Sequence, residues 1–564
     1  MLRLAGSSLM IGAVALCSGC GRQQSASAGE WPRFLSAFIE SYFEASPQFA
    51  VYQGRHEFDG RLPDWTDAGL KTWMSRLHQL RDSAAAFSID SSDAASLERD
   101  YLIAMIDRDL FWLERADLPH RNPEFYTGAL DPNVYIAREY APLPQRMQAF
   151  TRYARNLPAA LANAKANLRT PMPKPFAEIG KGRAEGLASY LKNDVPQVFG
   201  AVKDAAVRRE FSSANAGAVK ALLELTAWFD QQLKQGTSDY ALGPERFAEM
   251  LRMTEGVNLP LDQLERIGRE DMDRNLRALK EACSEYAPGQ PIAQCVARIN
   301  AHKPPGSPVE AARAQLDTLE EFVRSRSLVS IPGSERALVH EAPPYQRFNF
   351  AYIDIPGPYE KGLPSIYYIA PPNPSWPKAE QLAYIPGAAD LLFTSVHEVW
   401  PGHFLNFLHS NRARSMFGRI FVGYAFAEGW AHYTEEMMWD AGLGNGDPEV
   451  HIGQLMNALL RNARYLSAIG LHTKGMTVVQ SEKLFREAYQ DPGNARQQAL
   501  RGTYDPAYLN YTMGKLMVRK LRDDWTRDRG GRNAWREFHD RFLSYGGPPI
   551  PLVRRAMVGG GSPM

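Results

Sequence analysis

The apolar positions of this chain recur mostly at helical spacing. Phe34, Leu35, Phe38, Ile39, Tyr42 and Phe43 fall on one face of a 3.6-residue period, as do Leu97, Tyr101, Leu102, Met105 and Ile106. Segments 262–286 and 307–325 continue the pattern, the second from a Ser-Pro helix start. Asp131-Pro132-Asn133 and Pro171-Met172-Pro173 mark loops between helices. Near residue 328 the pattern changes. Residues 328–332 are β-like, 347–353 alternate with many aromatics, and 365–369 (SIYYI) follow a Pro/Gly-rich turn. Helical periodicity returns at about residue 388 and runs to the end. The pattern predicts a mainly α protein: a large multi-helix body around a cleft, with a small β-hairpin or sheet before the helix that starts near residue 388. Four regions are expected: a lipoprotein-type signal peptide over 1–19, a flexible tether over 20–29, an N-terminal helical region over 30–327 and a catalytic region over 328–564.

Composition changes this picture little. With 45% hydrophobic and 23% charged residues the chain has ample material for a core. A net charge of +1 gives no reason to expect a nucleic-acid partner. The N-terminus carries more information. Arg3 precedes an apolar run over 9–17 that is too short to span a bilayer, which takes about 20 residues. Small residues lead to Cys20, as in a lipoprotein cleavage box, with a plain secretory signal as the alternative. Gly21 after that cysteine fits outer-membrane sorting, so the expected location is a periplasm-facing lipoprotein held by its N-terminal lipid. Export would permit a disulfide between Cys283 and Cys295; two free thiols are the other possibility.

The chemistry concentrates late in the chain. Six of its twelve histidines lie between His397 and His472. His397-Glu398 opens HEVWPGH, His403 closes it, and Glu428 follows 25 residues later in EGWAHYTEE. Two imidazoles and a carboxylate are a zinc donor set, and a free neighbouring carboxylate is the base such sites use. His397 and His403 are metal-ligand candidates with Glu428 as the third, Glu398 is the general base, and one Zn2+ is the expected cofactor. The histidines are six residues apart, which on an unbroken helix is roughly 240° of rotation. One metal then requires a kink or bulge at Pro401-Gly402. Glu428, His432 and Glu435 share a helix face, which makes His432 and Glu435 candidates for orienting the ligand histidines. The β element just before the motif offers an edge on which an extended substrate can pair.

Four blocks in order (HEVWPGH, EGWAHYTEE, RNARYLSAIGLHTKG at 461–475 and YTMGK at 511–515) resemble the bacterial family called domain of unknown function 885. The resemblance implies a helical zinc-dependent peptidase with His397, His403 and Glu428 on the metal and Glu398 as base. It also brings Arg461, Arg464, His472 and Tyr511 toward the site. Arg461 and Arg464 are placed to clamp a substrate carboxylate, or alternatively to pair with acidic residues of a neighbouring helix. Tyr511 or His472 is placed to donate to the oxyanion, with core packing as the other reading of Tyr511. The chain departs from the family pattern at Asn406, where glutamine is usual, at His432, where the usual residue is apolar, and at Ala468, where aspartate is expected. The expected function is zinc-dependent hydrolysis of small peptides by metal-activated water, with carboxypeptidase- or dipeptidase-like preference for a chain end. Two alternatives remain. One is a structural-metal or inactive lipoprotein that binds peptides or a protein partner, its site closed if His432 were a fourth ligand. The other is a metal-dependent hydrolase of an ester or non-peptide amide.

Overall fold

A computed structural model describes residues 28–90, 94–343, 347 and 350–564. The expected signal peptide, Cys20 and most of the tether lie outside the described residues. No helix among the described residues is long and apolar enough to cross a membrane.

The helices form where the periodicity places them. The first apolar stripe becomes Trp31–Ala45, burying Leu35, Phe38, Ile39 and Phe43. The second becomes Ala94–Leu110. The Ser-Pro start yields Pro308–Ser325, fixed by a reciprocal cap: Glu310 N donates to Ser307 Oγ (3.2 Å) and Ser307 N to Glu310 Oε2 (3.0 Å). Cys283 and Cys295 form a disulfide between the helices Leu261–Tyr286 and Ile292–Ala301.

Two large apolar cores result, beside two small clusters among the described residues. One gathers residues between Trp31 and Phe229 and is completed by Phe417, Ile420 and Phe421 from far along the chain. The other runs from Phe247 to Met557, with Phe111 and Ala116 joining from the N-terminal part. The helix before residue 328 ends at Ser325 and the first strand begins only at Ala337, whereas the cores part between Phe229 and Phe247.

The β element is a three-stranded mixed sheet of β1 (Ala337–Glu341), β2 (Ala351–Asp354) and β3 (Ser365–Ile369) in the order β1-β3-β2. β1 runs parallel to β3 and β2 antiparallel to it. β3 matches the sequence expectation, and the alternation over 347–353 shrinks to the four residues of β2. Segment 328–332 is not a strand. Its backbone is satisfied elsewhere: Ser330 N donates to Asp540 Oδ1 (2.7 Å), and Ser330 O accepts from His409 Nε2 (2.8 Å). Pro332 has no donor to offer a ladder. The strand missed in the sequence is β1, where Val339 alone is buried, so alternation is hardly visible.

The central strand docks on the helix that carries the motif. Tyr367 is buried, and its hydroxyl lies 3.4 Å from Ser395 Oγ, which donates to Gln315 Oε1 (2.8 Å). Two residues beyond Ser395 is His397.

Candidate metal centre

The motif helix Ala388–Glu398 stops at Val399, and a new helix, His403–Ser410, begins at the second histidine. The expected kink is thus a full break, and the intervening turn folds back hard on the first helix. Gly402 N donates to Val396 O (3.0 Å). A Cβ on Gly402 would sit 1.8 Å from His397 O, so no other residue fits without moving the backbone. Trp430 Nε1 donates to Pro401 O (2.9 Å) and ties the turn to the third helix of the site, Tyr424–Asp440. The break replaces the 240° separation with two rings 4.8 Å apart, inclined at 87°.

Glu428 completes the group. One ligand atom from each of His397, His403 and Glu428 lies within 4.8 Å of the others. Glu428 Oε2 is 3.3 Å from His397 Nε2 and 3.2 Å from His403 Nε2. Two donors bound to one zinc at about 2.0–2.1 Å and the tetrahedral angle lie about 3.3 Å apart, so these separations fit that ion. Glu428 Oε2 is sealed from solvent and has no hydrogen bond among the described residues, as expected of an oxygen shaped for a cation. Burial opposes its charge, but the two histidines outweigh burial and hold the carboxyl well below its ordinary range.

Behind His397 stands Glu435, fully buried. His397 Nδ1 donates to Glu435 Oε1 (2.7 Å), which fixes the ring and turns Nε2 toward Glu428. Arg461 Nη2 lies 3.1 Å from the same oxygen. His432 Nδ1 donates to Glu435 Oε2 (3.2 Å). Burial disfavours the Glu435 charge, yet Arg461 and the histidines keep the carboxyl ionised far below its usual range. Burial pushes His432 down to about 4, so it is neutral at physiological pH. His432 stands behind Glu435 and outside the three-residue group, so it does not close the site as a fourth ligand.

The fourth wall is the helix Asn510–Thr526. It approaches Tyr424–Asp440 closely because two glycines meet: a Cβ on Gly429 would lie 2.4 Å from Gly514 Cα, and one on Gly514 would lie 2.2 Å from Ala425 O. This approach brings Tyr511 beside the centre, its ring 6.2 Å from that of His397 and tilted by 18°. Burial and then the Glu428 charge raise the Tyr511 hydroxyl, keeping it a neutral donor. Glu398 is half-buried, next to His397, and its charge acts on Tyr367 of β3.

Two expected roles change. Arg461 is not free to clamp a substrate. Beyond Glu435, its Nη1 donates to Asn457 Oδ1 (2.8 Å), and Asn457 Nδ2 donates to Asp390 Oδ1 (2.7 Å). The pairing alternative describes Arg461, whereas Arg464 has no such carboxylate among the described residues. His472 is not at the centre. It sits eleven residues beyond Arg461 on the helix Pro448–Thr473, about 16 Å along the axis. Its Nε2 donates to Gly502 O (2.7 Å), and its Nδ1 accepts from Leu242 N (3.2 Å). Burial lowers it to about 4. Backbone groups orient this ring, so alanine at 468 costs it no partner. The sequence reading missed Asp390, Asn457, Gln498 and the pair Arg501–Asp505. The i, i+4 spacings Asn457/Arg461 and Arg501/Asp505 were the available signal.

Beyond the sheet, a cavity of about 1160 Å³ opens between N-terminal helices and β2, lined by Tyr42, Trp65, Trp73, Trp112 and Asp354 among others.

Fold and site together define a helical body that buries one His/His/Glu group between its central helices. The chain belongs to the family described as bacterial protein of unknown function DUF885, which matches residues 47–557. A solved structure described as a candidate lipoprotein of unknown function from Shewanella oneidensis aligns with a TM-score of 0.78 at 24% identity, covering 94% of this chain and 99% of that one. A candidate lipoprotein from Colwellia psychrerythraea aligns with a TM-score of 0.79 at 16% identity, covering 94% and 98%. These likenesses show a shared fold. No curated protein matches the chain.

Proposed function

We propose that this protein is a zinc-dependent hydrolase of small peptides, with His397, His403 and Glu428 holding one metal ion and Glu398 as general base. The observation that carries this reading is a convergent three-residue donor set whose inward carboxylate oxygen has no hydrogen bond. Three protein ligands leave a coordination position for chemistry, whereas a structural site is usually closed by four. The position of His432 behind Glu435 therefore favours the catalytic reading over the structural-metal alternative.

A zinc ion in this group would polarise the scissile carbonyl and acidify water. The chain's own groups supply the rest. Glu398 takes the proton of the attacking water and delivers it to the leaving amine. Tyr511 presents a neutral hydroxyl toward the oxygen on which negative charge develops. Glu435 holds the His397 ring in orientation. β2 is an edge strand of the sheet that packs before the motif helix, and its open side supports an extended substrate. The expected lipidation at Cys20, together with the description of both solved relatives as candidate lipoproteins, supports a periplasm-facing, outer-membrane location.

The test is metal content and hydrolysis of a peptide library by the wild type and Glu398→Gln, both produced without residues 1–20. One zinc in each, with activity at least about 100-fold lower in the variant, is expected. Absence of bound metal, or equal activity in both, overturns the proposal. Zinc in both without hydrolysis by the wild type returns the structural-metal reading.

A further inference from the structure

Three arginines surround the ring of Tyr511, and one of them lacks a counter-charge. Their guanidinium carbons lie 4.7 Å (Arg464), 5.8 Å (Arg461) and 5.9 Å (Arg501) from the ring centre. Arg461 is matched by Glu435 at 3.1 Å and Arg501 by Asp505 at 2.8 Å. Arg464 donates Nε to the neutral Gln498 Oε1 (2.8 Å), and no carboxylate among the described residues pairs with it. Only 7% of Arg464 is exposed. Its two terminal nitrogens have no acceptor among the described residues, yet they are not among the sealed, unpartnered atoms, so they border accessible space.

A buried cation without a partner is costly, and two neighbouring guanidiniums add to the cost. An external anion relieves both. With Nε committed to Gln498, the Nη1–Nη2 edge remains, a fork whose spacing fits the two oxygens of one carboxylate. The position is one aromatic ring away from the metal centre, since Tyr511 also lies along His397.

We propose that Arg464 is the receptor for the substrate's own C-terminal carboxylate, so that the substrates are short peptides with a free carboxyl end lying beside Tyr511. The inference rests on the peptidase reading for the identity of the substrate. One unmatched positive charge selects a monoanion, and its nearness to the centre places the cleaved bond close to the chain end.

The test compares trialanine with its C-terminal amide. The wild type is expected to prefer the acid by about 10- to 100-fold in kcat/KM, the range of one charge-assisted hydrogen-bonded pair. Arg464→Gln should collapse that ratio toward one, and Arg464→Lys should leave it intermediate. Gln498→Glu supplies a second route, because it places a carboxylate against Arg464 while leaving the arginine in position. It should also collapse the ratio, even if Arg464→Gln does not fold. Calorimetric binding of the same two peptides to Glu398→Gln protein, with and without the Arg464 change, separates this inference from the activity. Acid-selective binding that disappears with Arg464, together with a wild type that hydrolyses neither peptide, keeps the receptor and removes the peptidase reading. Hydrolysis without any acid preference, or a preference unchanged in both the Arg464 and Gln498 variants, overturns the receptor.

Discussion

Replacing Glu435 with glutamine separates metal binding from stability at this site. The Glu435 carboxylate is fully buried and serves three partners: His397 Nδ1 at 2.7 Å, Arg461 Nη2 at 3.1 Å and His432 Nδ1 at 3.2 Å. Glutamine keeps the volume and one acceptor but removes the charge. Two losses follow. A carboxylate behind a metal-bound histidine fixes its tautomer and raises its basicity, and losing such a partner costs about 10- to 100-fold in metal affinity, or about 1.4–2.8 kcal/mol. Arg461 is then left buried and uncompensated, which costs the metal-free protein about 3–5 kcal/mol. Zinc competition against a chromophoric chelator measures the first loss, and urea unfolding of the metal-free protein measures the second. Glu428→Gln is the contrasting variant. It should abolish zinc binding while leaving no buried arginine uncompensated, because the nearest charged neighbours of Glu428 are His397 and His403, which can shed their protons. The reasoning is refuted if Glu435→Gln destabilises the protein while zinc affinity stays within threefold of wild type, since Glu435 would then act on Arg461 alone. It is equally refuted if Glu428→Gln retains zinc.

Two further outcomes are expected. Gly402→Ala forces a Cβ to within 1.8 Å of His397 O, so the turn must open and His403 must move. Zinc affinity should drop more than tenfold and stability by at least about 1–3 kcal/mol, and wild-type values for both by titration and denaturation would exclude the tight turn. Glu255 is buried where the helices Tyr424–Asp440 and Asn510–Thr526 begin and accepts from Asn510 Nδ2 (2.7 Å); burial raises its carboxyl to about 8. Folded, it therefore holds a proton that the unfolded chain releases above about 4.3. Its stabilising contribution is complete below that pH and is lost as pH rises through about 8. Thermal midpoints of wild type relative to Glu255→Gln should fall progressively between pH 5 and 8.5, and parallel profiles would refute the assignment.

Local patterns predicted local structure well. The stripes over 34–43 and 97–106 and the Ser-Pro start at 307 became helices because each buries a face or satisfies a cap within a few residues. Three residues singled out in the sequence also converge on one point. His397, His403 and Glu428 were legible because zinc chemistry restricts residue type, and Pro401-Gly402 announced a break in the helix. Glu435, singled out by its helix spacing, does contact the His397 ring. Segment 328–332 failed because β-propensity does not reveal that Asp540 and His409, far along the chain, take its backbone groups.

What the sequence determined by itself is the set of groups: which side chains can bind a cation, where the helix must break, and which residues share a face. Tertiary structure alone decided their partners. Arg461 and Arg464 are three residues apart on one helix and look equivalent in the chain. One meets Glu435 across a helix interface and is neutralised, and the other donates to the neutral Gln498, faces no carboxylate among the described residues and remains a buried cation. His472 carries the same imidazole as His397, but both its nitrogens are occupied by the backbone of Leu242 and Gly502. The physical reason is common to these cases. The protonation and availability of a buried group depend on which charges and dipoles surround it within a few ångströms, and those arrive from segments tens to hundreds of residues away.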